Sequence, residues 1–280
     1  MNDGLYKNKS FKSYLEIDAV NASSLKTIYK RSPKAYKYLT DNPEERGHSY
    51  ALVFGELCHT RILEPERYAK EVCVAPTDDR RTKDFKDCVK DNPDKTVIKP
   101  SESIALETIC DNVMRHPVAG EVLSKCSYVE TNMVWNEDGM KCKARLDAVN
   151  VPTNLIIDLK TTGDTDPYAW DRSARNFGYD IQAAFYTRGF QKLSGREARF
   201  MFIVVEKEAP YDCYVKLCDQ FFIDEGWEKC QKALELFKTC KDTGHWPGHS
   251  DDIMTMSASN WYFKQLLEKE PKNVSSNEGR

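Results

Sequence analysis

Asp147, Asp158 and Lys160 place two carboxylates and an ammonium in one short stretch, K-A-R-L-D-A-V-N-V-P-T-N-L-I-I-D-L-K-T-T at residues 143–162. Carboxylate oxygens are the donors that hard divalent cations such as Mg2+ prefer, and Mg2+ keeps several of its waters. A cation beside a phosphodiester polarises it, offsets developing charge and supplies a hydroxide nucleophile. A lysine within reach orients or deprotonates that water. An isolated D-x-K occurs by chance in many proteins, so the surroundings decide its weight.

Two β-type runs flank V-P-T-N at residues 151–154, which is a hairpin signal. A turn symmetric about Pro152 and Thr153 sets Asp147 opposite Asp158 and Arg145 opposite Lys160. Strict alternation then predicts Arg145, Asp147, Asp158 and Lys160 on one face. Leu146, Ala148, Ile157 and Leu159 take the other. A surface hairpin with a cross-strand ion pair would look the same, and is worth a few tenths of a kcal/mol, ~0.2–1. Against it, Asp158 and Lys160 interrupt a run apolar enough to be buried on both faces. A buried charge needs a partner or a metal.

These strands need a scaffold. The 280 residues are 40% hydrophobic and 30% charged, ordinary for a globular chain with a real core. No apolar run approaches the length of a membrane span, and the N-terminal residues lack a secretory leader's apolar segment. Ten cysteines without C-x-x-C read as reduced thiols rather than a zinc ribbon. A net charge of -3 gives no global pull towards nucleic acid, so any DNA contact must be local.

Helices are expected from about residue 23, capped by Ser23 or Ser24, and over 49–63, stopped by Pro65. The first carries Lys26, Lys30 and Arg31, with Lys34 beyond Pro33 and tyrosines interleaved. That mixture suits a nucleic-acid backbone or a plain solvated face. On the second, Leu52, Gly55, His59 and Ile62 share a face, pointing His59 inward. Residues 76–100 read as an exposed excursion in which Arg80, Arg81 and Lys83 contact DNA or solvent. Helices follow at 101–114 and 118–123, and strands at 128–135, 143–150 and 155–162. Next come helices at 168–177 and from Asp180, strands at 198–206 and 211–217, and a long helix at 219–240. This order predicts an α/β (α+β) fold, a mixed sheet flanked by helices. Residues 1–270 form one domain, with a helical part at 18–125 and the core sheet and helices at 126–242. Residues 271–280 read as a disordered tail.

Five stations in order resemble the RecB-like branch of the PD-(D/E)xK nucleases, which have a restriction-endonuclease-like core. They are G-E-L-C-H59-T, R-L-D147-A-V, I-I-D158-L-K160-T-T, and Gln182 and Tyr186 in Q-A-A-F-Y. S-S-L-K-T-I-Y-K-R-S-P-K-A-Y and F-G-E-L-C-H-T-R-I-L-E-P-E-R-Y further resemble the phage and prophage RecE-like exonucleases (exodeoxyribonuclease VIII) over residues 20–240.

The resemblance implies Mg2+-dependent (Mn2+ substituting) 5′-to-3′ resection of linear double-stranded DNA, leaving 3′ tails for recombination or annealing. It implies metal ligation by His59, Asp147, Asp158 and the Leu159 carbonyl, water activation by Lys160, and positioning by Gln182 and Tyr186. Glu130 is a further possible ligand. Arg145, Lys30, Arg31 and Lys34 would contact DNA. It also implies a homo-oligomeric ring, of which a tetramer is one form, acting on double-stranded DNA ends beside a RecT-like annealing protein. The expected location is the bacterial host cytoplasm. Relatives with an iron–sulfur cluster use four cysteines, three closely spaced. This chain lacks that pattern, so no cluster is expected. An endonuclease or single-strand nuclease on the same core, or a DNA-binding or assembly protein with a fossil site, are the alternatives.

Overall fold

The computed structural model describes residues 1–7, 9–45 and 50–256. The chain opens with β1 (Gly4–Tyr6), α1 (Phe11–Leu15), α2 (Ala22–Lys30), α3 (Pro33–Asp41), α4 (Tyr50–Leu63) and α5 (Pro65–Glu71). A small lobe follows: β2 (Val72–Val74), α6 (Lys83–Asp91) and β3 (Thr96–Ile98). Then come α7 (Pro100–Arg115), α8 (Pro117–Ser124), β4 (Tyr128–Glu137), β5 (Met140–Asn150) and β6 (Leu155–Thr162). The remainder is α9 (Pro167–Asn176), α10 (Tyr179–Ser194), β7 (Arg199–Glu206), β8 (Cys213–Leu217) and α11 (Gln220–Thr243). The expected tail at 271–280 lies outside the described residues, as does the expected start of α4 at Ser49.

The main sheet has the order β1-β4-β5-β6-β7-β8. Only β6 and β7 run parallel, because α9 and α10 carry the chain across one face between them. This is the mixed sheet flanked by helices that the element order predicts. Both faces are covered. On one, Leu25 and Ile28 of α2, Trp170 of α9, Phe185 of α10 and Phe237 of α11 pack on Trp135, Leu146, Ile156 and Phe202. On the other, Phe54 and Leu57 of α4 and Leu106 and Ile109 of α7 pack on Ala148, Ile157, Leu159 and Ile203. The alternation of Ile156 and Ile157, or of Phe202 and Ile203, between the two cores is the period-two pleat at work.

Two glycines set how closely α10 sits. At Gly178, φ is +67°, and the turn rests on the aliphatic stems of Lys26 and Lys30. At Gly189, an added Cβ would lie 2.7 Å from Met133 and 2.8 Å from Trp135, so the helix meets the sheet there without a side chain between.

Several local expectations are corrected. Asn21, not Ser23 or Ser24, caps α2: its side chain accepts from the Ser24 N–H at 2.9 Å. Pro65 occupies the first turn of α5 rather than only ending α4. Leu52 is 63% exposed, so the buried stripe of α4 runs through Phe54, Leu57 and Cys58. Residues 76–100 are not a bare excursion. They include α6 and the parallel β2–β3 pair around Ala75, Phe85 and Val97. Within them Arg80 pairs with Glu102 and Arg81 with Asp79. All ten cysteines are free. No helix among the described residues is long and apolar enough to cross a membrane.

Candidate metal and active site

The β5–β6 hairpin has the predicted register, but its ladder is short. Pairing holds at Asn150–Leu155, Val149–Ile156 and Ala148–Ile157, then ends one step before Asp147 and Asp158. Beyond that point the strands part. The Leu159 N–H donates to Asp147 Oδ2 at 2.8 Å, so a side chain replaces the lost backbone acceptor.

The neighbouring β4–β5 ladder is interrupted at the same level. Val129 pairs with Ala148 and Thr131 with Leu146, but Glu130 and Asp147 between them do not pair. Glu130 has φ of 45°, a left-handed conformation uncommon outside glycine. Leu146 belongs to the core under α10 while Ala148 belongs to the core under α4, so the pleat changes phase at Asp147. This overturns the expected single face. Asp158 and Lys160 alternate with Ile157 and Leu159 and face α10. Arg145 alternates with Ala144 and Leu146 and points to the opposite side.

The fork gathers ligand atoms from both sides. His59, from α4, sets Nδ1 3.3 Å from Asp147 Oδ2. One ligand atom from each of His59, Glu130 and Asp147 lies within 4.8 Å of the other two. Hydrogen bonding also links His59 to the Leu159 backbone. On the α10 side, Asp158 is only 1% exposed. Its Oδ1 accepts from Gln182 Nε2 at 2.5 Å. Its Oδ2 is ion-paired with the Lys160 ammonium. Lys26 Nζ donates to Gln182 Oε1 at 2.9 Å. Tyr179 packs between the two lysines, with its ring centroid 5.0 Å from Lys160 Nζ and 5.1 Å from Lys26 Nζ. Tyr186 is buried one turn beyond Gln182, its ring against Phe200.

The charges are strongly perturbed. Burial, with the Asp158 charge adding, pushes the Asp147 carboxyl up to about 8. Burial and Asp147 together push Glu130 up to about 7. Burial and Lys160 lower His59, keeping its imidazole neutral and able to act as a ligand. Burial pulls the Lys160 ammonium down, but Asp158 and Asp147 outweigh it and leave it raised. At Lys26, burial and the Lys160 charge outweigh Asp158 and Asp180 and lower it to about 7. Clustered titratable groups shifted this far mark a functional site more often than a structural one.

The donor set fits a divalent cation. An imidazole nitrogen and two carboxyl groups converge, burial and neighbouring acids raise both carboxyls, and the adjoining Asp158 carboxylate is buried against Lys160. His59, Glu130 and Asp147 would hold the ion, with Asp158 and the Leu159 carbonyl adjoining.

Other predicted contacts sit differently. Arg145 donates to Glu130 at 2.7 Å, Asn132 at 2.7 Å and the Lys9 carbonyl at 3.0 Å. It therefore steadies Glu130 and is not a free phosphate grip. Lys30 donates to the Arg175 carbonyl at 2.9 Å. Arg31 and Lys34 are exposed. Lys26 and Tyr179 are site residues that no local sequence signal marks: Lys26 lies on a basic helix face, and its partner Gln182 is 156 residues away.

The family described as "PDDEXK-like domain of unknown function (DUF3799)" matches residues 21–258. Among solved structures, a candidate exonuclease from Eubacterium rectale superposes with a TM-score of 0.60 at 15% identity, over 94% of this chain and 99% of that one. A phage-related exonuclease from Haemophilus somnus 129PT is 13% identical, with a TM-score of 0.33 over 82% of this chain and 98% of that one. The first likeness concerns the fold alone, and the second is too loose to argue from. No curated protein has a matching sequence.

Proposed function

This chain belongs to the PDDEXK-like family DUF3799, and from that premise we propose that it is a metal-dependent nuclease, specifically a RecE-like 5′-to-3′ exodeoxyribonuclease. Its substrate would be the end of linear double-stranded DNA, and its product a 3′ single strand for annealing or recombination. The observation that carries the reading is the convergence of His59, Glu130, Asp147, Asp158 and Lys160 where β5 parts from β6. The polarity, the duplex preference, Mg2+ as the resident ion, the ring assembly and a RecT-like partner rest on the sequence resemblance.

A divalent cation held here supplies Lewis-acid polarisation of the phosphate and acidification of water. The chain's own residues do the rest. His59 is neutral and presents a nitrogen lone pair. Arg145 pins Glu130 in its left-handed turn. The Leu159 N–H fixes Asp147. Gln182 occupies Asp158 Oδ1 and leaves Oδ2 facing Lys160. The Lys160 ammonium offsets phosphate charge, and its Nζ is the atom that exchanges a proton with water. Tyr179 walls Lys160 from the α2 side, where exclusion of water strengthens each of these interactions.

The test uses linear duplexes labelled at one 5′ or one 3′ end, with Mg2+. A 5′-to-3′ exonuclease releases the 5′ label first, leaves closed circular DNA intact and stops when a chelator is added. Cleavage of the closed circle would replace the exonuclease with an endonuclease on the same core. DNA binding without cleavage at any metal concentration would make the site a fossil.

A further inference from the structure

Gln182 is a ditopic side chain: one end of its carboxamide donates and the other accepts. Between Lys26 and Asp158 it has one sensible orientation. A carboxylate can only accept, so Asp158 alone fixes the amide, and the Lys26 amine donates to the carbonyl in either protonation state. The carbonyl end must therefore face Lys26, at 2.9 Å, and the NH2 end Asp158, at 2.5 Å. Reversing the amide would set its carbonyl oxygen against the Asp158 carboxylate, two acceptors face to face.

Lys26 is itself fixed by packing. The Gly178 turn rests on its stem, with an added Cβ only 3.1 Å from Lys26 Cγ, and its Nζ lies over the Tyr179 ring. Leu25 beside it is fully buried in the core under α10. The ammonium is thus delivered to Gln182 by a rigid helix.

We propose that Lys26 is a positioning residue of the active site, holding the Gln182 carboxamide so that it donates to Asp158 and leaves Asp158 Oδ2 facing Lys160 and the cation site. The proposal rests on the nuclease reading for its effect on cleavage, but the Lys26–Gln182–Asp158 chain of contacts stands apart from it. Outer groups that orient metal-site carboxylates commonly matter about 10–100-fold. A residue that acts only through Gln182 has no further effect once Gln182 is gone.

The experiment is a double-mutant cycle on the full chain: Lys26→Met, Gln182→Ala and both together, with Lys26→Arg as the conservative variant. On linear duplex with Mg2+, Lys26→Met should lower kcat about tenfold at unchanged KM. The double variant should be no slower than Gln182→Ala, and Lys26→Arg should recover most of the loss. A raised KM with unchanged kcat, or additive losses in the double variant, would overturn the proposal in favour of direct phosphate contact. A second readout needs no activity. The Gln182 side-chain amide protons, observed by 15N NMR without metal or DNA, should be widely separated in the wild type and collapse towards free-glutamine values in Lys26→Met. An unchanged pair in Lys26→Met would overturn the proposal even if no variant, nor the wild type, cuts DNA. Failure of cleavage with the expected amide shift would instead defeat the nuclease reading alone.

Discussion

The two ends of the β4–β5 hairpin each hold acidic side chains shielded from solvent to different degrees, and they handle them in opposite ways. At the turn end, Glu137 is 2% exposed and fully partnered. Arg188 grips it through Nε and Nη2 at 2.9–3.2 Å, and Lys192 lies 3.4 Å away. At the open end, Glu130 and Asp147 sit beside each other with a neutral histidine, and Arg145 hydrogen-bonds to Glu130. A carboxylate kept for structure arrives with its own cations. The open end keeps an excess of acid, which is stable only protonated or with an ion bound. The sheet is regular at the first end and broken at the second, so backbone pairing has been given up where the charge is unbalanced.

The difference is sharpened first by removing the ammonium next to Asp158. Lys160→Ala should slow cleavage of linear duplex about 10²–10⁴-fold. Full activity in that variant would reject the mechanism. Next, a cation must displace protons held by Glu130 near 7 and Asp147 near 8. Metal affinity should therefore rise between pH 6 and 8, by about tenfold per pH unit for each proton released. Titration calorimetry in buffers of different ionisation enthalpy counts those protons. A flat profile would mean the acids are not ligands.

The last two predictions have opposite signs. Glu137→Gln should destabilise the protein by about 2 kcal/mol, since it weakens charged hydrogen bonds to Arg188. Asp147→Asn should do the reverse in the metal-free protein at pH 8. A carboxyl raised to about 8 contributes stability below the ordinary carboxylate range, and that contribution is lost as pH rises through 8. Removing it should raise the melting temperature by about 2–4 °C per kcal/mol recovered, with a much smaller gain at pH 5. A fall in both variants would erase the contrast between the two ends.

The D-x-K strand and the hairpin register were readable because both follow from period-two alternation and a short turn. The helix pattern around His59 was readable for its inward direction, though Leu52 on the same pattern faces outward. The phase change at Asp147 was not readable. It depends on a non-glycine residue, Glu130, taking a left-handed φ that only the surrounding fold enforces. The β2–β3 pair escaped because three-residue strands carry too little pattern. Lys26 escaped because nothing local distinguishes a lysine that faces solvent from one that faces Gln182. That distinction exists only after α2 and α10 have packed together.

Gly189 gives the contact between α10 and the sheet a reach well beyond itself. It lies on the same helix as Gln182, two turns on, with Met133 and Trp135 where a methyl group would go. A methyl there would prop the helix away from the strands like a shim under a beam, tilting the far end where the amide hovers over Asp158. An alanine at this site would then dull the nuclease from a distance, touching neither ion nor DNA.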